Sequence, residues 1–272
     1  MNNKYYFDPD YNRLNRSAKR SETRGNGNQV DRLLNRLLRG KSEPPLIYEP
    51  EILQELSAII SNIKDNIDWG QELEKASFIV FDTETTGLRP YGGDEVTSIG
   101  AVVIEKGKIL KEPFFYSLVN PRRPITLQAQ KITGITNEMV RQKPPLIPVL
   151  IDFLDFCGPR VLIAHNAPFD LAFLNNKVGE TIGRRIVNPV IDTVLLTSAL
   201  HYSIGDYSLE NLGRIFSFSL EGRHNALGDA RIAASLFLKL VPELQSKGVH
   251  TLHQLAGLFS DSDLTKGYPL IF

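Results

Sequence analysis

Apolar positions recur along this chain in two rhythms. In EPEILQELSAIISNIKDNIDWG, residues 49–70, Ile52, Leu53, Leu56, Ile59, Ile60, Ile63 and Ile67 stand mostly three or four apart, which is one face of an α-helix. Glu49 and Glu51 lie near its start, where negative charge suits the helix dipole. A bare apolar stripe is unusual on a monomer, so this one is expected to pack on the main body of the protein, with Trp69 anchoring the helix end. From residue 78 the rhythm changes. Phe78, Ile79, Val80 and Phe81 form the continuous apolar run of a strand covered on both faces. A strand around 97–105, a Lys106-Gly107-Lys108 turn and a strand through 114–120 follow. Helices are expected around 127–132 and 147–156, then a strand at 161–164, a helix from Pro168 and a short strand at Val190 and Ile191 running into helix. Further helices are expected near 208–216 and 226–240, with a short terminal helix at 251–259. Strands first, then strands alternating with helices, predict the α/β class: a mixed sheet between two layers of helix, with an N-terminal helical extension.

Charge divides the chain. Residues 1–41 carry ten Lys or Arg against four Asp or Glu, and the remaining 231 carry 21 against 27, so a basic head precedes an acidic body within a total of zero. The head is too polar to bury much of itself and is read as a mobile segment, either contacting nucleic acid or an acidic partner or merely solubilising. The plan is then a head over 1–45, a helical extension over 46–75, a main domain over 76–242 and a C-terminal helical tail over 243–272. A single cysteine, Cys157, excludes an internal disulfide. With no apolar leader or membrane-length stretch, the reading is a cytoplasmic protein without a membrane partner.

Three stretches carry chemistry. In FIVFDTETTG the buried strand runs into Asp82 and Glu84, which point to one side if the strand continues through them, while Thr83 points away. Two ionised carboxylates at the end of a core strand need a cation, hydrogen bonds or water. An all-oxygen pair suits Mg²⁺ or Mn²⁺ better than zinc; the plain alternative is a surface turn with a helix cap. In VLIAHNAPFDLAFL a second strand ends before a helix opened by Pro168, placing Asp170 in its first turn, where alone it reads as an acid facing the helix dipole. In RHNALGDARIAASLFLKL, Asp229 sits early on an apolar-faced helix, and His224 is placed on the loop before it, swinging over the site. If the two strands are parallel neighbours, Asp82, Glu84 and Asp170 meet outside their carboxyl ends.

The motifs FDTETTG, HNAPFDLAFL and HNALGDA resemble, in order and spacing, the three motifs of the DEDDh family of 3′-to-5′ exonucleases, the proofreading family that includes the epsilon subunit of bacterial DNA polymerase III. KITGIT, at 131–136, and the Val190 to Thr193 stretch also resemble family patterns. The resemblance spans about residues 76–242. It implies a ribonuclease H-like fold with a mixed five-stranded sheet, and two divalent ions, Mg²⁺ or Mn²⁺, held by Asp82, Glu84, Asp170 and Asp229. His224 would take the proton from the attacking water. Thr85, Thr86, Gly87 and Leu88 would line the pocket for the 3′-terminal nucleotide, and Phe169 and Tyr207 would offer stacking surfaces, core packing being the other reading of Phe169. Asp192 also follows a strand, but the family has no ligand there, so it is read as a helix N-cap.

The implied substrate is a DNA 3′ end, single-stranded, in proofreading or repair. Family members with the same five residues also process RNA ends, and a non-catalytic nucleic-acid-binding or polymerase-tethering module is the rival reading. A DNA polymerase or a sliding clamp would be the protein partner. QLAGLF, at 254–259, loosely resembles clamp-docking peptides, although Gly257 departs from their pattern and a plain terminal helix is the favoured reading.

Overall fold

The computed structural model describes residues 46–63, 67–201 and 203–260. The basic head expected over 1–45 and the last residues of the tail lie outside them. Helix α1, Pro50–Ile63, is followed by β1, Ser77–Thr85, a 3-10 turn at Pro90–Gly92, β2, Val96–Glu105, and β3, Lys108–Leu118. Then come α2, Leu127–Thr133, α3, Asn137–Val140, α4, Leu146–Cys157, and β4, Val161–Ala164. The order ends with α5, Ala167–Ile182, β5, Val190–Asp192, α6, Thr193–Leu200, α7, Leu209–Phe216, α8, Ala226–Ser246, and α9, Leu252–Ser260.

The five strands form one mixed sheet in the order β3-β2-β1-β4-β5. β1 pairs antiparallel with β2 and parallel with β4, so it lies at the centre, buried on both faces as its apolar run predicts. Alternation sorts its residues. Phe78 and Val80 face a core shared with α8 residues Ile232, Leu236 and Phe237, and Ile79 and Phe81 face a second core shared with α4 residues Leu150 and Phe153. This is the expected ribonuclease H-like three-layer arrangement.

The amphipathic stripe of α1 packs on the body as expected, with Leu56 and Ile60 in the second core. Trp69, expected to anchor that helix, packs instead against the other core. Ile67 and Trp69 pack against the first core, and the Trp69 carbonyl accepts from His253 N at 2.8 Å. Nearby, Leu73 N donates to the His250 carbonyl and Glu72 bridges to Thr251, so the segment before β1 is tied to the residues that lead into α9. Nearness in sequence assigned Trp69 to that helix, but it does not record which core a side chain joins. β3 also begins earlier than its apolar run implies, because Lys108, Lys111, Glu112 and Pro113 occupy an exposed edge where polar residues discourage further pairing. α8 runs unbroken through Pro242 to Ser246.

Leu255 and Phe259 of α9 are buried in the first core, 1% and 2% exposed. Gln254 Oε1 accepts from the His250 and Thr251 amides, closing the first turn. The QLAGLF stretch is thus the plain terminal helix of the favoured reading. Cys157 is buried and free. Among the described residues no helix is long and apolar enough to cross a membrane.

Candidate active site

Asp82 and Glu84 continue the face of β1 that Phe78 and Val80 begin, which turns them toward α8. What lets α8 come so close is Gly100, the partner of Asp82 across β2. A Cβ there would fall on the Leu227 amide and the Ala226 carbonyl carbon, so only glycine admits the first turn of α8 over the sheet. Asn225 caps that turn by accepting from the Leu227 and Gly228 amides, and Asp229 follows. One carboxylate oxygen from each of Asp82, Glu84 and Asp229 lies within 4.8 Å of the other two.

Asp170 approaches this centre from the other layer, against Thr83 of β1. Asn166 adopts a left-handed conformation with φ of 60° at the start of α5, held there by its amide donating to Asp192 Oδ1 at 3.0 Å. Asp192 Oδ1 also accepts from Val194 N at 2.8 Å, so it is the N-cap of α6. Asp170, 3% exposed, accepts at Oδ1 from both the amide and the hydroxyl of Thr83, at 3.0 and 2.5 Å. Asp170 stands outside the tight group of three, yet after burial its charge is the strongest influence raising the Asp82 carboxyl.

His224 sits on the loop before α8, as expected, in a left-handed conformation with φ of 65°. Its amide donates to Asp229 Oδ2 at 3.1 Å. A residue that sequence reasoning missed stands beside it. Arg223 Nη1 donates to Asp229 Oδ2 at 2.6 Å, and its Nε donates to Glu210 Oε1 at 2.8 Å. The signal was available: buried carboxylates demand a cation, and Arg223 directly precedes the motif histidine.

The electrostatics follow from burial. It pushes Asp170 up to about 7 against the Thr83 hydrogen bonds, and Asp229 up to about 6 against the Arg223 charge. Asp82 and Glu84 are also raised, burial first, then the neighbouring acids, although an edge open to solvent tempers the push. Burial and then the Arg223 charge lower His224, which favours the neutral imidazole. Asp229 Oδ1 is buried with no hydrogen-bond partner among the described residues. An all-oxygen donor set with such an orphaned oxygen fits a hard divalent cation.

The remaining expected residues have local surroundings of their own. Thr85 ends β1, and Thr85 Oγ1 donates to the Gly87 carbonyl at 2.6 Å. The Thr86 carbonyl accepts from Thr126 Oγ1, the N-cap of α2, at 3.2 Å. Leu88 is 79% exposed. Phe169 packs edge-on against Phe173 beside the second core. Tyr207 packs against the first core and its hydroxyl donates to the His201 carbonyl at 3.1 Å. His165 Nδ1 lies 2.8 Å from Thr193 Oγ1, and burial lowers it to about 4, consistent with a satisfied neutral histidine. A groove of about 640 Å³ lies elsewhere, lined by Tyr48, Leu53, Val119, Arg122 and Lys177, and includes none of the acids. Convergent buried charge, rather than concavity, marks the chemistry here.

Comparison with known proteins bears on this centre. Residues 79–237 match the family described as Exonuclease. The chain is 44% identical over 181 residues to a DNA polymerase III subunit epsilon-like protein of Rhodobacter capsulatus, covering 66% of this chain and 26% of that protein. It is 35% identical over 223 residues to a DNA polymerase III PolC-type protein of Thermotoga maritima, covering 82% of this chain and 16% of that one. The match thus spans only 26% and 16% of these longer relatives. Among solved structures, Exonuclease X in complex with 5′-overhanging duplex DNA aligns with a TM-score of 0.50 at 29% identity, over 66% of this chain and 98% of that one. The nuclease domain of 3′hExo, a DEDDh family member bound to rAMP, shares the fold with a TM-score of 0.56 at 16% identity, over 64% of this chain and 95% of that one. With more than half its residues inside the matched region, this chain belongs to the exonuclease family, as the resemblance of its three motifs implied.

Proposed function

We propose that this chain is a metal-dependent 3′-to-5′ exonuclease releasing mononucleotides from single-stranded DNA 3′ ends in proofreading or repair. The observation that carries the reading is the meeting of Asp82, Glu84 and Asp229 within 4.8 Å, beside an Asp170 braced by Thr83. These four acids would hold two divalent ions, Mg²⁺ or Mn²⁺, which when bound supply Lewis acidity at the scissile phosphate and an acidified water.

The residues of the chain do the rest. Thr83 occupies one oxygen of Asp170, and Arg223 with the His224 amide occupies one oxygen of Asp229, so each acid offers its other oxygen in a set direction. The neutral His224 imidazole, on the loop at the edge of the centre, would accept the proton of the attacking water. The backbone of Thr85, Thr86 and Gly87, with the exposed Leu88, would receive the terminal nucleotide, and Phe169 and Tyr207 would flank it. A DNA polymerase is the proposed partner, in line with the polymerase III names of the relatives. Clamp docking through α9 would require Leu255 and Phe259 to leave the core.

Single-stranded DNA and RNA of equal length, labelled at the 5′ end, test the reading. With Mg²⁺ or Mn²⁺ the DNA is expected to shorten as a ladder from its 3′ end, and Asp82→Ala and Asp229→Ala are expected to abolish this while circular dichroism stays native. Immediate release of a labelled mononucleotide, activity in EDTA, or retained activity in either variant overturns it. Faster cleavage of the RNA reassigns the substrate.

A further inference from the structure

The loop that leaves β1 is built more rigidly than a plain connection requires. Asp94, 5% exposed, is its hub. Its Oδ1 accepts from Thr86 Oγ1 at 3.2 Å and pairs with Arg123 Nη1 at 3.3 Å, and its Oδ2 accepts from the Arg89 amide at 3.2 Å. The Asp94 amide returns a bond to the Arg89 carbonyl, and the Thr86 amide donates to the Glu95 carbonyl at 2.8 Å. Gly87 lies so close to this carboxylate that any Cβ would overlap it, which is why glycine stands there. On the far side, Asn176 of α5 donates to the Pro90 carbonyl at 3.4 Å.

Residues 86–94 are therefore pinned from the strand, from α5 and from within, and yet two large apolar side chains project from them into solvent. Leu88 and Tyr91 are each 79% exposed. An aromatic ring held out on a fixed turn loses little freedom when a flat partner stacks on it, so its binding cost is low. Unstacked bases are such partners, and stacking tolerates any sequence. Leu88 already belongs to the segment assigned to the terminal nucleotide; Tyr91 lies three residues farther along the same braced loop.

We propose that Tyr91 is a further substrate-binding residue, stacking on a base behind the 3′-terminal nucleotide, and that Asp94 is the positioning residue that holds it there. The proposal rests on the reading of residues 85–88 as the terminal-nucleotide site.

Two probes separate it from that reading. The first is anisotropy of a 5′-fluorescein single-stranded dT oligonucleotide in Ca²⁺ buffer. Tyr91→Ala is expected to weaken binding about tenfold and Tyr91→Phe less than twofold, because the ring and not the hydroxyl makes the contact. Asp94→Asn is expected to reproduce the loss, and the double variant to add little to either single change, as for residues acting through one contact. The second probe is metal-dependent hydrolysis of the p-nitrophenyl ester of thymidine 5′-monophosphate, which has no base behind the reacting nucleotide. Tyr91→Ala is expected to leave it unchanged. Oligonucleotide affinity within twofold of the parent in Tyr91→Ala overturns the proposal, as does an equal loss on both probes. If the parent hydrolyses neither the ester nor the oligonucleotide, the active-site reading fails while the anisotropy still decides the role of Tyr91.

Discussion

Arg223 donates to Asp229 Oδ2 at 2.6 Å from the opposite side of the carboxylate to its orphaned Oδ1. The same guanidinium lowers the carboxyls of Asp82, Glu84 and Asp229 against the rise that burial imposes. Arg223→Gln removes that cation, so these acids are expected to ionise at higher pH. Because only the ionised forms bind a cation, the acid limb of the pH profile of kcat/KM is expected to move up by about one unit. At pH 6.5 that is a loss of about tenfold, recovered in part by pH 9. An unmoved acid limb in the folded variant contradicts this role.

Burial of the acids makes stability depend on pH in a definite direction. Asp170 and Asp229 titrate at about 7 and about 6 in the folded chain, against roughly 3.9 when unfolded. Groups raised on folding contribute fully below the unfolded value, and that contribution is lost as pH rises through the folded values. Protein stripped of metal with EDTA is therefore expected to lose thermal stability between about pH 4.5 and pH 7.5. Added Mn²⁺ should raise Tm more at pH 7.5 than at pH 5, since bound cation offsets the ionised carboxylates. Differential scanning fluorimetry across that range checks both parts, and a metal effect independent of pH would refute them.

Thr83 points away from the acids of its own strand and braces the acid that arrives from the other layer. Thr83→Val keeps the volume and deletes the hydroxyl, leaving the backbone bond to Asp170. Support of this kind typically carries about 10- to 100-fold in metal affinity or activity. We expect a loss in that range, with Thr83→Ser restoring most of it. Mn²⁺ titration followed by isothermal calorimetry reads the effect, and parental affinity in Thr83→Val would show the hydroxyl to be dispensable.

Phe259 lies at the far end of the described chain yet inside the first core. Truncation of a buried phenylalanine costs about 3–5 kcal/mol, so Phe259→Ala is expected to lower unfolding free energy by an amount of that order in urea titrations. A change below about 1 kcal/mol, well short of that range, would mean that α9 is not part of the core.

Much of this architecture was legible because it is written in local periodicity. The run Phe78 to Phe81 reads as a strand covered on both faces, and the alternation that turns Asp82 and Glu84 to one side while Thr83 faces the other follows from a two-residue repeat. The first-turn placement of Asp170 and Asp229 came from Pro168 and from the apolar face of α8, both short-range signals. Trp69 was expected to anchor the end of α1 but packs against the other core, because local pattern does not record which face of the sheet a side chain joins.

The amino-acid sequence by itself determined which residues bear charge, which strand ends in acids and which helix starts hold the others, since each depends on neighbours within a few positions. Tertiary structure alone decided that Thr83 would bond to Asp170, 87 residues away, that Arg223 would bridge Asp229 and Glu210, and that α8 would close over Gly100. Such contacts depend on how layers are stacked and how closely backbones approach, and no repeat along the chain encodes that distance.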